Sequence, residues 1–108
     1  MRFAVLGTGA VGTALAGKLA NLGHDVMIGT RNVGDALSRT EPGMMGAPAF
    51  AGWHEEHLAV QLGTFAEAAA HGEVVINATA GHASLDALAS AGAENLSGKV
   101  LIDVPAVD

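Results

Sequence analysis

The sequence contains no cysteine, which excludes disulfide bonds, thiolate catalysis and thiolate metal sites. Positive charge is also scarce, because 5 lysines and arginines face 11 aspartates and glutamates, for a net charge of −6. A nucleic-acid or anionic-membrane surface needs a basic patch, so neither partner is expected. No apolar run approaches the length of a membrane span, and no signal-peptide pattern precedes the first apolar run. We therefore expect a cytoplasmic protein.

Aromatic residues are few, whereas alanine and glycine are abundant, which suits helices that pack closely on a sheet. The 108 residues are enough for one domain. Short apolar runs alternate along the chain with segments of helical periodicity. The apolar runs that predict strands are residues 3–6, 26–28, 60–62, 74–76 and 100–102. Helical patterns fill residues 11–22, 66–70 and 83–91.

Continuous apolar strands separated by helices indicate a parallel sheet that is covered on both faces. We predict an α/β, doubly wound, Rossmann-like fold of about five strands in the order 3-2-1-4-5, with right-handed crossovers. The segment of residues 33–59, between the second and third predicted strands, is too long for a simple crossover connection. We predict short helices at residues 35–39 and 50–58, with a loop at residues 41–48 between them. This insertion either packs over the sheet edge or forms a flap over a bound ligand, and the first interpretation is favoured.

A glycine-rich turn follows the first strand and opens the first helix. It matches the pattern G-x-G-x-x-G, and its residues are Gly7, Thr8, Gly9, Ala10, Val11 and Gly12. The first glycine permits a tight turn, the second lets a pyrophosphate approach the backbone, and the third lets the helix lie close to the sheet. The amides of the helix N-terminus favour phosphate. Because the match stands between a strand and a helix, it predicts dinucleotide binding.

The residues after the second strand indicate which dinucleotide is bound. An acid at this position would bind the adenosine ribose of NAD and repel a 2′-phosphate. This chain has Thr30, Arg31 and Asn32 instead. A hydroxyl, a guanidinium and an amide can all donate to phosphate, so we predict NADP(H). The alternative is that Arg31 is only a solvated loop cation.

The fourth strand ends in small and polar residues, namely Asn77, Ala78, Thr79 and Ala80. They should lie beside the glycine turn at the topological switch point, where ligands bind in this architecture. Small residues there would let the nicotinamide end lie against backbone, although tight packing alone could also explain them. His54 and His57 lack the spacing and further ligands of a metal site, so no metal is expected. We find no paired carboxylates and no nucleophile–base pair, so no catalytic side chain is predicted.

Four stretches of the sequence resemble the NADPH-dependent reductases of the deazaflavin coenzyme F-420. They are "MRFAVLGTGAVGTALAGKLANLGHDVMIGTRN", "TEPGMMGAPAFAGW", "VVINATAG" and "KVLIDV". The resemblance implies a hydride transfer between NADPH and coenzyme F-420, with little acid–base chemistry from the protein. It also implies that residues 1–108 are the N-terminal, NADP-binding part of a longer enzyme, and it leaves a homo-oligomer open. The alternatives are a non-catalytic NADP-sensing module and an NADPH-dependent reductase of an imine or ferric ion.

Overall fold

The computed structural model describes residues 1–41, 49–79 and 83–104. Strands and helices alternate along these residues. The strands are β1 (Arg2–Leu6), β2 (Asp25–Thr30), β3 (Gln61–Thr64), β4 (Val74–Asn77) and β5 (Val100–Asp103). The helices are α1 (Ala10–Asn21), α2 (Val33–Ser38), α3 (Phe50–Glu56), α4 (Phe65–His71), α5 (Ala83–Ala91) and α6 (Ala93–Leu96).

The sheet confirms the predicted topology. Within the described residues it has five parallel strands in the order β3-β2-β1-β4-β5. The chain therefore places β2 and β3 on one side of β1 and then crosses over to place β4 and β5 on the other side. This reversal lies between β1 and β4, which is the switch point of a Rossmann-like α/β fold.

Helices cover both faces of the sheet, and each face has its own apolar cluster. One cluster joins Ala16, Ala36 and Phe50, on α1, α2 and α3, to Val5 and Ile28 of the sheet. On the opposite face, α4, α5 and α6 pack on a cluster that includes Ala4, Leu6 and Val75. Successive residues of β1 thus point to opposite clusters, because side chains alternate along a strand.

Among its described residues, the segment between β2 and β3 contains two short helices, as predicted, and both pack on the sheet. Ala36 and Phe50 are buried, and the ring of Phe50 stacks on that of Trp53 at a centroid distance of 5.8 Å. The α2 helix begins at Val33, two residues before the predicted start, because the side chain of Asn32 caps it. The predicted loop lies outside the described residues except for Glu41.

The C-terminal boundaries of β2 and β3 lie two residues beyond the predicted ones, each for a physical reason. The β2 strand continues to Thr30, since Thr30 still pairs with Thr64 of β3. The β3 strand ends at Thr64, whose side chain caps α4 in a capping box with Glu67. Because the T-x-x-E pattern of such a box is visible in the sequence, this boundary could have been predicted. The short α6 helix was not predicted.

Candidate active site

The carboxyl ends of the central strands are joined by backbone hydrogen bonds. The amide of Gly7, just after β1, donates to the carbonyl oxygen of Gly29 in β2 at 2.9 Å. The amide of Ala78, just after β4, donates to the Leu6 carbonyl oxygen at 2.9 Å. These bonds place the glycine turn directly between the ends of β2 and β4. The structure therefore brings the three predicted site segments together along one edge of the sheet.

The three glycines of the turn differ in whether the fold requires them. Gly7 has a φ of +123°, which side-chain-bearing residues rarely adopt, and a Cβ there would lie 3.1 Å from the Ala78 carbonyl oxygen. A Cβ at Gly12 would collide with the carbonyl oxygen of Gly7. A Cβ at Gly9 would meet nothing within 4 Å. The folded chain thus needs glycine at positions 7 and 12, whereas position 9 faces open space.

The N-terminus of α1 has no side-chain cap, since its N-cap residue is Gly9, and its first turn holds no acid. By contrast, α2 and α4 each have a side-chain cap and an acid in the first turn. Thr13 hydrogen-bonds to the carbonyl oxygen of Gly9 through both its amide, at 3.0 Å, and its hydroxyl, at 2.8 Å. The positive end of the α1 dipole is therefore not neutralised by a cap or an acid of the helix's own first turn. Sequence reasoning missed Thr13, which fixes the turn from inside the helix.

The glycine turn is also tied to α2 by an arginine. The guanidinium of Arg39, at the C-terminus of α2, donates from Nη1 to the hydroxyl oxygen of Thr8 at 2.8 Å. Its Nη2 lies 4.0 Å from a carboxylate oxygen of Asp35. A second cation therefore stands against the turn. The contact between Arg39 and Thr8 could not be predicted from the sequence, because it depends on how α2 folds back over the turn.

The three residues predicted to bind a 2′-phosphate differ in accessibility. Thr30 is only 5% exposed, whereas the side chain of Arg31 is 69% exposed. Asn32 is exposed, and its side-chain oxygen accepts the amide of Asp35 at 2.9 Å. Arg31 is thus far more accessible than Thr30, and Asn32 has a structural task as the cap of α2.

The end of β4 forms a compact polar turn. The side-chain oxygen of the buried Asn77 accepts both the hydroxyl of Thr79, at 2.6 Å, and the Thr79 amide, at 3.3 Å. Its backbone carbonyl accepts the amide of Val104, just after β5, at 3.0 Å. Asn77 therefore holds the shape of the turn, and Ala78 and Thr79 are the partly exposed residues beside the glycine turn. The predicted site residue Ala80 lies outside the described residues.

The histidines at the C-terminal end of α3, His54 within the helix and His57 at its C-cap, make local contacts. A ring nitrogen of His54 lies 3.0 Å from the Val60 carbonyl oxygen, and one of His57 lies 2.7 Å from the Trp53 carbonyl oxygen. The ring of His57 also stacks on that of Trp53 at 4.1 Å. Across the described ranges, no group of three or more metal-ligating side chains is close enough to hold a metal ion. In that same part of the chain, no helix has both the length and the apolarity to cross a membrane.

The strand order and the glycine turn at the switch point define the class of protein, a Rossmann-like α/β domain. Residues 2–107 match the family model described as NADP oxidoreductase, coenzyme F-420-dependent. The chain belongs to this family of NADP oxidoreductases. No curated protein sequence matches the chain.

Solved structures agree with this assignment. A protein from Arthrobacter sp. FB24, described as a candidate F-420-dependent NADP reductase, is 52% identical with a TM-score of 0.88. The match covers 95% of this chain and 44% of the Arthrobacter chain, so this chain spans less than half the length of that relative. A diketoreductase (23% identity, TM-score 0.62) is matched over 97% of this chain and 41% of its own. The 2-dehydropantoate 2-reductase of Methylococcus capsulatus is 18% identical with a TM-score of 0.57. That match covers 97% of this chain and 33% of the reductase chain. These last two share the fold.

Proposed function

We propose that this chain is the NADP(H)-binding domain of an oxidoreductase that transfers a hydride between NADPH and coenzyme F-420. The family supports the dependence on NADP and relates it to coenzyme F-420. The structure supports a binding site for a phosphorylated dinucleotide at the carboxyl edge of the sheet. In this proposal the adenosine end of the cofactor lies at the end of β2 and the nicotinamide end lies at the end of β4.

One observation carries the proposal, namely the uncapped N-terminus of α1 beside an exposed arginine at the end of β2. The open space at Gly9 and the free positive end of α1 fit a pyrophosphate. Arg31 follows β2, where the adenosine ribose lies in dinucleotide-binding folds. Its guanidinium suits a 2′-phosphate, because phosphate can accept two parallel hydrogen bonds from the planar fork. The residues present therefore fit NADP(H).

The remaining site residues would position the cofactor. Thr8 and Arg39 would border the phosphates, since the Arg39 guanidinium already lies against the turn. Ala78 and Thr79 would border the nicotinamide end, and Asn77 keeps their turn in shape. When bound, NADPH supplies the hydride, and the protein contributes binding and orientation. Because the cofactor supplies the reacting hydride, the proposed site needs no nucleophile and no acid–base pair.

The test is a titration of NADPH and NADH into the parent chain, the Arg31→Ala variant and the Lys18→Ala variant. A charge-assisted hydrogen bond contributes about 1.5–3 kcal/mol, so Arg31→Ala should weaken NADPH binding about ten- to hundredfold. Binding of NADH should barely change, because NADH lacks the 2′-phosphate. Lys18→Ala removes the same charge from the last turn of α1, away from the site, and should leave both affinities unchanged.

Two results would contradict the proposal. If the parent binds NADH as tightly as NADPH, Arg31 is a solvated cation and the cofactor is misassigned. The acceptor is tested separately, by following the absorbance of coenzyme F-420 when it is mixed with NADPH and the protein. Oxidation of NADPH by an imine or ferric acceptor, with coenzyme F-420 left unreduced, would reassign the reaction.

A further inference from the structure

The side chain of Arg31 faces an acid that no sequence pattern indicated. Its Nη2 lies 3.8 Å from the carboxylate oxygen Oδ2 of Asp86, in the first turn of α5. The two residues come from different parts of the fold, because Arg31 follows β2 whereas α5 follows β4 on the opposite side of β1. Folding therefore brings a carboxylate to the guanidinium that the proposed function assigns to the 2′-phosphate.

We propose that Asp86 is the resident counter-ion of Arg31 and that the 2′-phosphate of NADPH must displace it. Asp86 then lowers the affinity for NADPH and narrows the preference for NADPH over NADH. This inference rests on the proposed function, because it assumes that Arg31 binds the phosphate. It adds a residue that sets cofactor preference without supplying a favourable contact to the cofactor.

The geometry shows that the ion pair can be displaced. At 3.8 Å the two atoms are farther apart than in a charge-assisted hydrogen bond, which is about 2.7–2.9 Å long. The side chains are 69% and 72% exposed, so water competes for both charges. A phosphate oxygen that reaches the guanidinium can approach at full hydrogen-bond distance, and the phosphate group carries more negative charge than a carboxylate. The phosphate should therefore displace Asp86 from the guanidinium of Arg31. Competition from Asp86 should nevertheless weaken the binding of the phosphate.

The opposite role for Asp86 would be to hold Arg31 in place for the phosphate. A contact at 3.8 Å between two exposed side chains restrains a flexible arginine only weakly. The two roles also predict opposite signs, because loss of a support would weaken NADPH binding and loss of a competitor would strengthen it. Asp86 has a structural task too, since an acid in the first turn of α5 interacts favourably with the helix dipole.

The experiment compares Asp86→Asn, Arg31→Ala and the double variant by titration with NADPH and NADH. Asparagine keeps the size of the side chain and removes its charge. Exposed ion pairs contribute about 0.2–1 kcal/mol, so Asp86→Asn should tighten NADPH binding by up to about fivefold. Binding of NADH should stay unchanged. The gain should shrink at high salt and disappear in the Arg31→Ala background, because it acts through Arg31.

Glu94→Gln is the matched control. Glu94 is an exposed acid in the first turn of α6, so its loss changes the charge and the helix-dipole interaction in the same way. It should leave the affinity for NADPH unchanged. If Glu94→Gln strengthens NADPH binding as much as Asp86→Asn does, the effect is one of net charge and the inference is wrong.

The remaining outcomes separate this inference from the proposed function. If the parent prefers NADPH and Arg31→Ala removes that preference, but Asp86→Asn changes nothing or weakens binding, only the counter-ion role is overturned. A gain that persists undiminished in the Arg31→Ala background also overturns it, because Asp86 would then act without Arg31. If the parent shows no preference for NADPH, both the proposed function and this inference are overturned.

Discussion

Replacing each glycine of the turn by alanine, one at a time, should separate binding from folding. At Gly9 the backbone has a φ of −79°, which alanine adopts freely, and the added methyl group would meet no atom within 4 Å. Alanine is a poorer N-cap than glycine by about 0.5–1 kcal/mol, but it also restricts the unfolded chain by about 0.4–1 kcal/mol. The two effects nearly cancel, so the stability of Gly9→Ala should stay within about 0.5 kcal/mol of the parent.

The other two glycines should behave differently. Gly7→Ala would force a side chain into a φ of +123°, and such strain costs about 1–3 kcal/mol. Gly12→Ala would push a methyl group into the Gly7 carbonyl oxygen, and overpacking of this kind costs about 1–3 kcal/mol. In a domain of this size each kcal/mol lowers the midpoint of thermal unfolding by about 4–8 °C. Both variants should therefore melt clearly below the parent, and Gly9→Ala should not.

Gly9→Ala should keep the stability of the parent but bind NADPH more weakly. A methyl group at position 9 would occupy the space assigned to the pyrophosphate and remove at least one charge-assisted hydrogen bond from a backbone amide. The expected loss is about 1.5–3 kcal/mol, or about ten- to hundredfold in affinity. Thermal unfolding and NADPH titration are measured on the same samples. A Gly9→Ala variant that keeps both parental stability and parental affinity would refute the assignment of this turn to a pyrophosphate.

Asn32 and all of β5 are exposed, so both can be substituted without disturbing the core. Asn32→Asp should keep the cap of α2, since asparagine and aspartate cap equally well, and should place an acid where NAD-binding domains have one. We expect unchanged thermal stability and a shift of preference from NADPH toward NADH in paired titrations; unchanged NADPH binding would contradict this placement. All four residues of β5 are exposed, and β5 pairs only with β4 within the described sheet, so this apolar edge should promote self-association. Sedimentation should show concentration-dependent association that Ile102→Lys reduces, whereas a monomeric parent at high concentration would argue against it.

The architecture of this domain could be predicted from local sequence patterns. Apolar runs bounded by helical patterns are local features, and topological rules then permit few arrangements, so the strand order could be predicted and is confirmed. The G-x-G-x-x-G turn was predictable because its pattern is contiguous, and two of its glycines are explained by local backbone geometry, namely the positive φ of Gly7 and the close approach of Gly12 to the Gly7 carbonyl oxygen. The family resemblance, confirmed by the family model, also rests on contiguous stretches of sequence.

The pairing of the charged groups at the site could not be predicted from the sequence, because it depends on how distant segments fold together. Arg31 meets Asp86 and Arg39 meets Thr8 because the chain crosses from one side of β1 to the other and α2 folds back over the turn. No local periodicity encodes such contacts, since each joins residues that are distant in sequence. Burial is decided in the same way. Thr30 and Arg31 are neighbours in the chain, yet Thr30 pairs within the sheet and is buried whereas Arg31 extends into solvent, where a phosphate can reach it.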